Sequence, residues 1–213
     1  MIETRLSPEY EILDIGAGKR SNHNYQRCLR RVVGIDISED VLANPNLDEA
    51  YWCCVTNMPF EDNRFDLAFA DFFLEHLPEP IKAAQEIYCV LKPNGAFVIR
   101  TPNLWHYVTL ISRFTPYRLH IILREKLQGK CEEDTFKTYF RCNTLSQIRH
   151  VFEESGFILE RLEMVEKEPS YLMKWSWTFM MGLFYERIVN STKWLERFRA
   201  NIFGRLVKPS VSQ

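Results

Sequence analysis

The 213-residue sequence predicts a doubly wound α/β domain built on a mostly parallel sheet, and three observations carry that reading. First, Glu11-Ile12-Leu13-Asp14-Ile15-Gly16-Ala17-Gly18 sets apolar residues at 12, 13 and 15 in a short buried strand. Two glycines one residue apart then let the backbone turn sharply and approach a ligand closely. Second, Arg31 to Ile37 reads as another strand ending on a carboxylate, Asp36, 22 residues after Asp14. That is the spacing of a βαβ unit whose acid accepts hydrogen bonds from a ribose. Third, strand-like runs and helix-periodic segments alternate down the rest of the chain.

Composition sets the limits. Twenty-seven basic residues against 28 acidic ones leave a net charge of -1, so no overall field draws the chain to nucleic acid. Cys28, Cys53, Cys54, Cys89, Cys131 and Cys142 contain no C-x-x-C pair, which argues against a zinc site. They read as reduced thiols of a cytoplasmic protein, and no metal is expected. The longest strongly apolar run, Trp175 to Tyr185, is 11 residues, against the roughly 20 of a spanning helix. Length argues for one domain over 1–213.

The elements follow in order. Only ten residues, Pro8 among them, precede the first strand. After the second strand, Ser38 and Glu39 suit the start of a short helix. Ala50 to Val55 is expected to be a third strand. Phe65 to Asp71 alternates too little for a half-exposed strand, so it should be central and buried. Pro80 opens a helix with an apolar stripe at 81, 84, 87, 88 and 91, which stops before Pro93. Asn94-Gly95 turns the chain into a fifth strand, Ala96 to Arg100. Thr144 to Ser155 is a helix, capped by Asn143 or Thr144 and ended by Gly156. Phe157 to Val165 gives a sixth strand, and Asn201 to Lys208 a seventh, antiparallel one.

Leu13 to Gly18 resembles the first motif of class I S-adenosylmethionine (SAM)-dependent methyltransferases of the type 11 kind. Met58 to Leu67, Phe73 to Leu77 and Val90 to Gly95 are similar, in order and spacing, to that superfamily's later blocks. The likeness covers roughly residues 11–101, with a weaker echo to 165. It implies a Rossmann-like methyltransferase fold of seven strands and SAM as cofactor. Carried over residue by residue, Asp14 supports the loop and faces the methionine end, and Gly16, Ala17 and Gly18 touch the cofactor. Asp36 takes the ribose hydroxyls, Ile37 and Val55 pack on adenine, and the loop from Asp71 and Phe72 reaches the methionine amine. His76 is the candidate general base.

Each role has a plainer counterpart: Asp14 as a cap of the next turn, Asp36 as a helix cap, His76 as a structural histidine. The sequence also departs from the family. The usual helix ahead of the first strand is missing, Lys19 and Arg20 stand where Thr-Gly is common, and Cys54 stands where an acid often reads the adenine amine. Ser21, after two long cations, argues against a dinucleotide, whose pyrophosphate wants glycine or alanine there.

Two insertions complete the picture. Residues 103–143 carry seven cations (Arg113, Arg118, Arg124, Lys126, Lys130, Lys137 and Arg141) and read either as a lid over the substrate or as a solvated two-helix excursion. Residues 168–200 are helix-compatible and rich in aromatics, with eight between 171 and 198. Packing over the first insertion, a membrane-surface face and a subunit contact compete for that stretch. The function expected is methyl transfer to a small-molecule acceptor, a lipid, quinone-like or saccharide hydroxyl. A non-catalytic protein that kept the fold is the competing class, and a nicotinamide oxidoreductase is disfavoured by the residues after Gly18.

Overall fold

The computed structural model describes residues 7–20, 31–114, 136–166 and 176–210. Seven strands form one sheet: β1 (Glu11–Ile15), β2 (Arg31–Asp36), β3 (Glu49–Trp52), β4 (Phe65–Asp71), β5 (Leu91–Pro102), β6 (Ile158–Val165) and β7 (Asn201–Val207). Their order is β3-β2-β1-β4-β5-β7-β6. The first five run parallel, and β7 lies antiparallel between β5 and β6, as the sequence predicts. This is the Rossmann-like methyltransferase fold. From β1 the chain winds outward to β3, then returns to place β4 on the other side of β1. That reversal opens a crevice at the carboxyl ends of β1 and β4, where doubly wound sheets bind ligands.

Burial explains the centre of the sheet. Ile12, Leu13 and Ile15 of β1 and Phe65, Ala68 and Ala70 of β4 are buried, so these strands have no solvent face on which to alternate polar residues. Helix α1 (Pro80–Val90) starts on its proline and buries Ala83, Ala84, Ile87 and Val90. Helix α2 (Tyr107–Phe114) follows β5. Helix α3 (Leu145–Glu154) begins at Thr144, whose hydroxyl accepts from the Gln147 amide at 3.2 Å, and buries Ile148, Val151 and Phe152. Gly156 ends it at φ +93°. Helix α4 (Ser176–Ser191) precedes β7.

Several boundaries differ from expectation, three of them in ways that matter here. Strand β3 stops at Trp52 rather than Val55, because the Cys53 amide closes onto the Asp36 carbonyl (3.0 Å) and Cys54 to Asn57 make a turn. Strand β5 starts at Leu91 and contains the Pro93-Asn94 turn, with Leu91 paired to Phe65 before pairing resumes at Ala96 and Leu67. Strand β6 starts one residue late, at Ile158. The ammonium of buried Lys208 fixes the turn region from the far end of the chain. It donates to the carbonyls of Tyr88 and Leu91 and to Asn63 Oδ1, each at 2.8 Å, and so satisfies acceptors left over at the end of α1.

Residues 115–135 of the first insertion and 168–175 of the second lie outside the described residues. Among the described residues no helix is long and apolar enough to cross a membrane, and no cluster of histidine, cysteine or acidic side chains could hold a metal ion.

Candidate functional site

The bend after β1 is built by the backbone. The amides of Gly16 and Ala17 both donate to the Ile35 carbonyl, at 2.9 and 3.1 Å, so the chain must reverse direction within two residues. Gly16 and Gly18 do this at φ +77° and +51°, which side-chain-bearing residues rarely adopt. Gly16 has a second reason to be glycine: a Cβ there would stand 2.6 Å from the Phe73 ring. The loop after β4 therefore packs directly on the bend. Asn44 fixes the outer side, its amide donating to the carbonyls of Ala17 and Gly18 at 3.2 and 3.1 Å.

Asp36, at the tip of β2, turns toward this bend. One carboxylate oxygen accepts from the Gly18 amide at 3.0 Å and the other from the Ser38 amide at 2.8 Å. Each carboxylate oxygen has two acceptor positions, so these bonds orient the group without exhausting it. Capping of the short helix Glu39–Ala43 falls to Ser38, whose hydroxyl accepts from the Asp40 amide. Asp36 is thus not needed as the helix cap.

Ile37 and Trp52 stand next to Asp36 at 60% and 59% exposure, unusually open for their size. The Trp52 indole N–H donates to the Ile37 carbonyl at 2.9 Å, which fixes the ring beside Ile37 as a flat apolar wall. Sequence reasoning passed over Trp52, because a third strand reaching Val55 leaves it mid-strand. Val55 itself is buried in the main core. Beyond the wall, burial raises the Cys53 thiol to about 11, and Cys54 Sγ lies 3.2 Å from Thr56 Oγ1. Asp14 is buried at the carboxyl end of β1.

The β4 side carries charge. Asp71 and Arg100 occupy the same rung of the β4–β5 ladder and form a two-pronged ion pair. The Arg100 guanidinium lies 4.6 Å over the ring of Phe72. Phe72 itself is held at φ +51°, a conformation that costs a bulky residue energy and clusters at functional loops. A short helical turn, Leu74–His76, follows.

His76 and Glu75 point to different environments. The ring Nδ1 of His76 lies 3.0 Å from the Lys137 carbonyl, and the Phe136 ring meets it edge-on at 6.0 Å. A carbonyl can only accept, so Nδ1 carries the proton and Nε2 is the basic nitrogen. Glu75 is buried and accepts from the Thr101 hydroxyl at 3.2 Å, which in turn accepts from the Asn143 amide at 2.7 Å. Its backbone carbonyl takes the amides of Tyr139 and Phe140, tying the end of the first insertion to this loop. Arg141 donates to the Pro78 carbonyl at 2.7 Å and adds to that tie.

Burial raises the Glu75 carboxyl from 4.5 to about 7, with the Asp71 charge adding and the Thr101 hydroxyl opposing. The protonated acid therefore stabilises the fold fully below pH 4.5, and this contribution is lost as pH rises through about 7. A shift of that size corresponds to about 3 kcal/mol. Glu75→Gln, which cannot ionise, should gain stability relative to the wild type by an amount of that order across the same window. Urea unfolding at the two ends of the window measures it. Equal pH dependence in both proteins contradicts the assignment.

Comparison with known proteins finds likeness over part of the chain. Residues 13–99 match a family model described as a methyltransferase domain. A demethylmenaquinone methyltransferase of Staphylococcus aureus is 28% identical over 144 residues, 62% of this chain and 59% of that protein. The matched region thus spans less than two thirds of that relative's length. Among solved structures, a SAM-dependent methyltransferase from Methanosarcina mazei superposes with a TM-score of 0.60 at 21% identity, covering 96% of this chain and 95% of that one. Phosphoethanolamine N-methyltransferase 2 from Haemonchus contortus, solved with SAM, gives 0.57 at 20% identity, covering 96% and 50%.

Proposed function

We propose that this chain, a member of the class I SAM-dependent methyltransferases through residues 13–99, transfers the methyl group of SAM to a hydroxyl oxygen of a small-molecule acceptor. The observation that carries the reading is Asp36, held between the Gly18 and Ser38 amides beside the exposed Ile37 and Trp52 wall.

The residues present fit the cofactor. A carboxylate with acceptor positions to spare suits the two vicinal hydroxyls of a ribose. An exposed indole and an isoleucine beside it suit a flat purine. The thiols at 53 and 54 are poor acceptors, so adenine is held by packing and by backbone groups rather than by a side-chain acid. Asp14, Gly16, Ala17 and Gly18 border the amino-acid end, with Asp71 and Phe72 across the loop. Bound there, SAM supplies an electrophilic methyl group on a sulfonium.

The protein's own contribution is placement and proton handling. Holding a nucleophile in line with a methyl group supplies roughly 7–11 kcal/mol of the barrier. His76 Nε2 takes the acceptor's proton as the hydroxyl attacks, and the Lys137 carbonyl keeps the other ring nitrogen protonated and the ring oriented. A quinone-like hydroxyl is the favoured acceptor within the wider class of lipid and saccharide hydroxyls. The Staphylococcus aureus relative is a demethylmenaquinone methyltransferase, which points to the quinone class and not to the atom methylated, and the Phe136 ring lies 6.0 Å from that of His76.

The test is methyl transfer from label-carrying SAM to a panel of reduced quinones, lipid hydroxyls and saccharides. Label in the reduced quinones, lost in His76→Ala, is the expected result. SAM bound without label in any acceptor supports the non-catalytic alternative instead.

A further inference from the structure

Helix α4 is apolar on two sides. Inward, Gly182 and Val189 are buried, and the Tyr185 ring packs 4.8 Å from Tyr107 and 5.6 Å from His106 while its hydroxyl donates to the Phe198 carbonyl at 2.6 Å. Those contacts seat the helix, so the outward side is not needed for its attachment. Outward stand Met180, Met181, Phe184 and Ile188, which at 100° per residue fall within an arc of about 100°. Phe184 is 67% exposed, and Trp194, just past the helix, 73%. Solvent-facing residues of this size in one stripe are unusual on a soluble surface.

Position and charge indicate what covers the stripe. Strand β6 runs parallel to β5, since both are antiparallel to β7. The chain therefore leaves β6 toward α4 on the same edge of the sheet that carries Gly16, Asp36 and His76. Cations lie within the helix and just past its end. Residues 176–199 hold Arg187, Lys193, Arg197 and Arg199 against Glu186 and Glu196, in a chain whose net charge is -1. Glu196 is paired with Arg199 at 3.0 Å, whereas Arg187, Lys193 and Arg197 are exposed. A symmetric contact with a second copy would bring like charges together around the apolar stripe. A bilayer surface with anionic headgroups accepts both parts: side chains enter the acyl boundary and long cations reach back to phosphate.

We propose that the outward face of α4, with Trp194 and the cations Arg187, Lys193 and Arg197, docks on an anionic lipid surface and turns the site-bearing edge of the sheet toward it. The proposal does not depend on methyl transfer. Vesicle binding needs neither SAM nor an acceptor, so its failure leaves the catalytic reading untouched.

The experiment is sedimentation of the full chain with vesicles of phosphatidylcholine alone or mixed equally with phosphatidylglycerol, together with its elution on size exclusion. Binding to the mixed vesicles, at least tenfold weaker to phosphatidylcholine alone, is expected. Phe184→Glu with Met181→Glu should abolish it. Arg187→Gln with Lys193→Gln leaves the apolar stripe intact and should weaken it about 30-fold. Both pairs lie on exposed positions, and the charge pair keeps the test decisive if the glutamates disturb folding. No binding to mixed vesicles, binding unchanged in the charge pair, or a dimer in vesicle-free solution that the glutamates dissolve each overturns the proposal.

Discussion

Asp36→Ala should lower affinity for SAM by a factor on the order of 100 to 10,000. The reasoning is additive at the level of hydrogen bonds. A carboxylate accepting from two ribose hydroxyls makes two charge-assisted bonds, each worth about 1.5–3 kcal/mol, and every 1.4 kcal/mol is tenfold in affinity. The same side chain accepts from the Gly18 and Ser38 amides, so the alanine variant also loosens the bend. Asp36→Asn separates the two effects. It keeps the size of the group and one oxygen acceptor but loses the charge, and its affinity should fall between wild type and alanine. Calorimetry gives the affinities, and melting without ligand reports any loss of folding. Wild-type affinity in a folded Asp36→Ala protein contradicts the ribose assignment.

His76→Ala should lower kcat by about 100- to 10,000-fold while leaving the SAM dissociation constant within about twofold. The two effects separate because His76 is assigned to the acceptor's proton and not to the cofactor. The ring is also positioned by Lys137 and Phe136, so His76→Gln, which restores bulk and hydrogen bonding but no basic nitrogen, should be nearly as slow as alanine. Rapid turnover in both variants would mean that the acceptor arrives already ionised, and His76 would then be a structural residue of the loop.

The parts of the candidate site built from local chain geometry were legible in the sequence as backbone features. Two glycines, a strand of three apolar residues and an acid closing the next strand are each fixed by nearby backbone, and they recur in the fold where the spacing puts them. Helix α3 was legible for the same reason, since Thr144, its apolar stripe and Gly156 lie within one segment. Phe65 to Asp71 was recognised as central because its residues leave no face for water.

What escaped was what distant residues decide. The end of β3 depends on how the Cys53 amide meets Asp36, and β-favouring residues at 53–55 gave no warning of it. Trp52 became visible as a wall only once that strand stopped beneath it. Glu75 reads as one more surface acid until Thr101 and Asn143, 26 and 42 residues apart in succession, close around it. Phe72 at positive φ runs against its own conformational preference, and only Arg100, stacked on the ring and paired to Asp71, shows what the strained turn accomplishes. The aromatic excess between 171 and 198 was plain in the sequence. Which side of α4 faces outward was not, because helical periodicity cannot distinguish two apolar faces.

One titration tests the central claim most directly: wild-type protein against SAM, followed by calorimetry, with Asp36→Ala run alongside. A single site in the wild type and at least a hundredfold loss in the variant is the predicted result. No heat from the folded wild type at millimolar SAM contradicts the account.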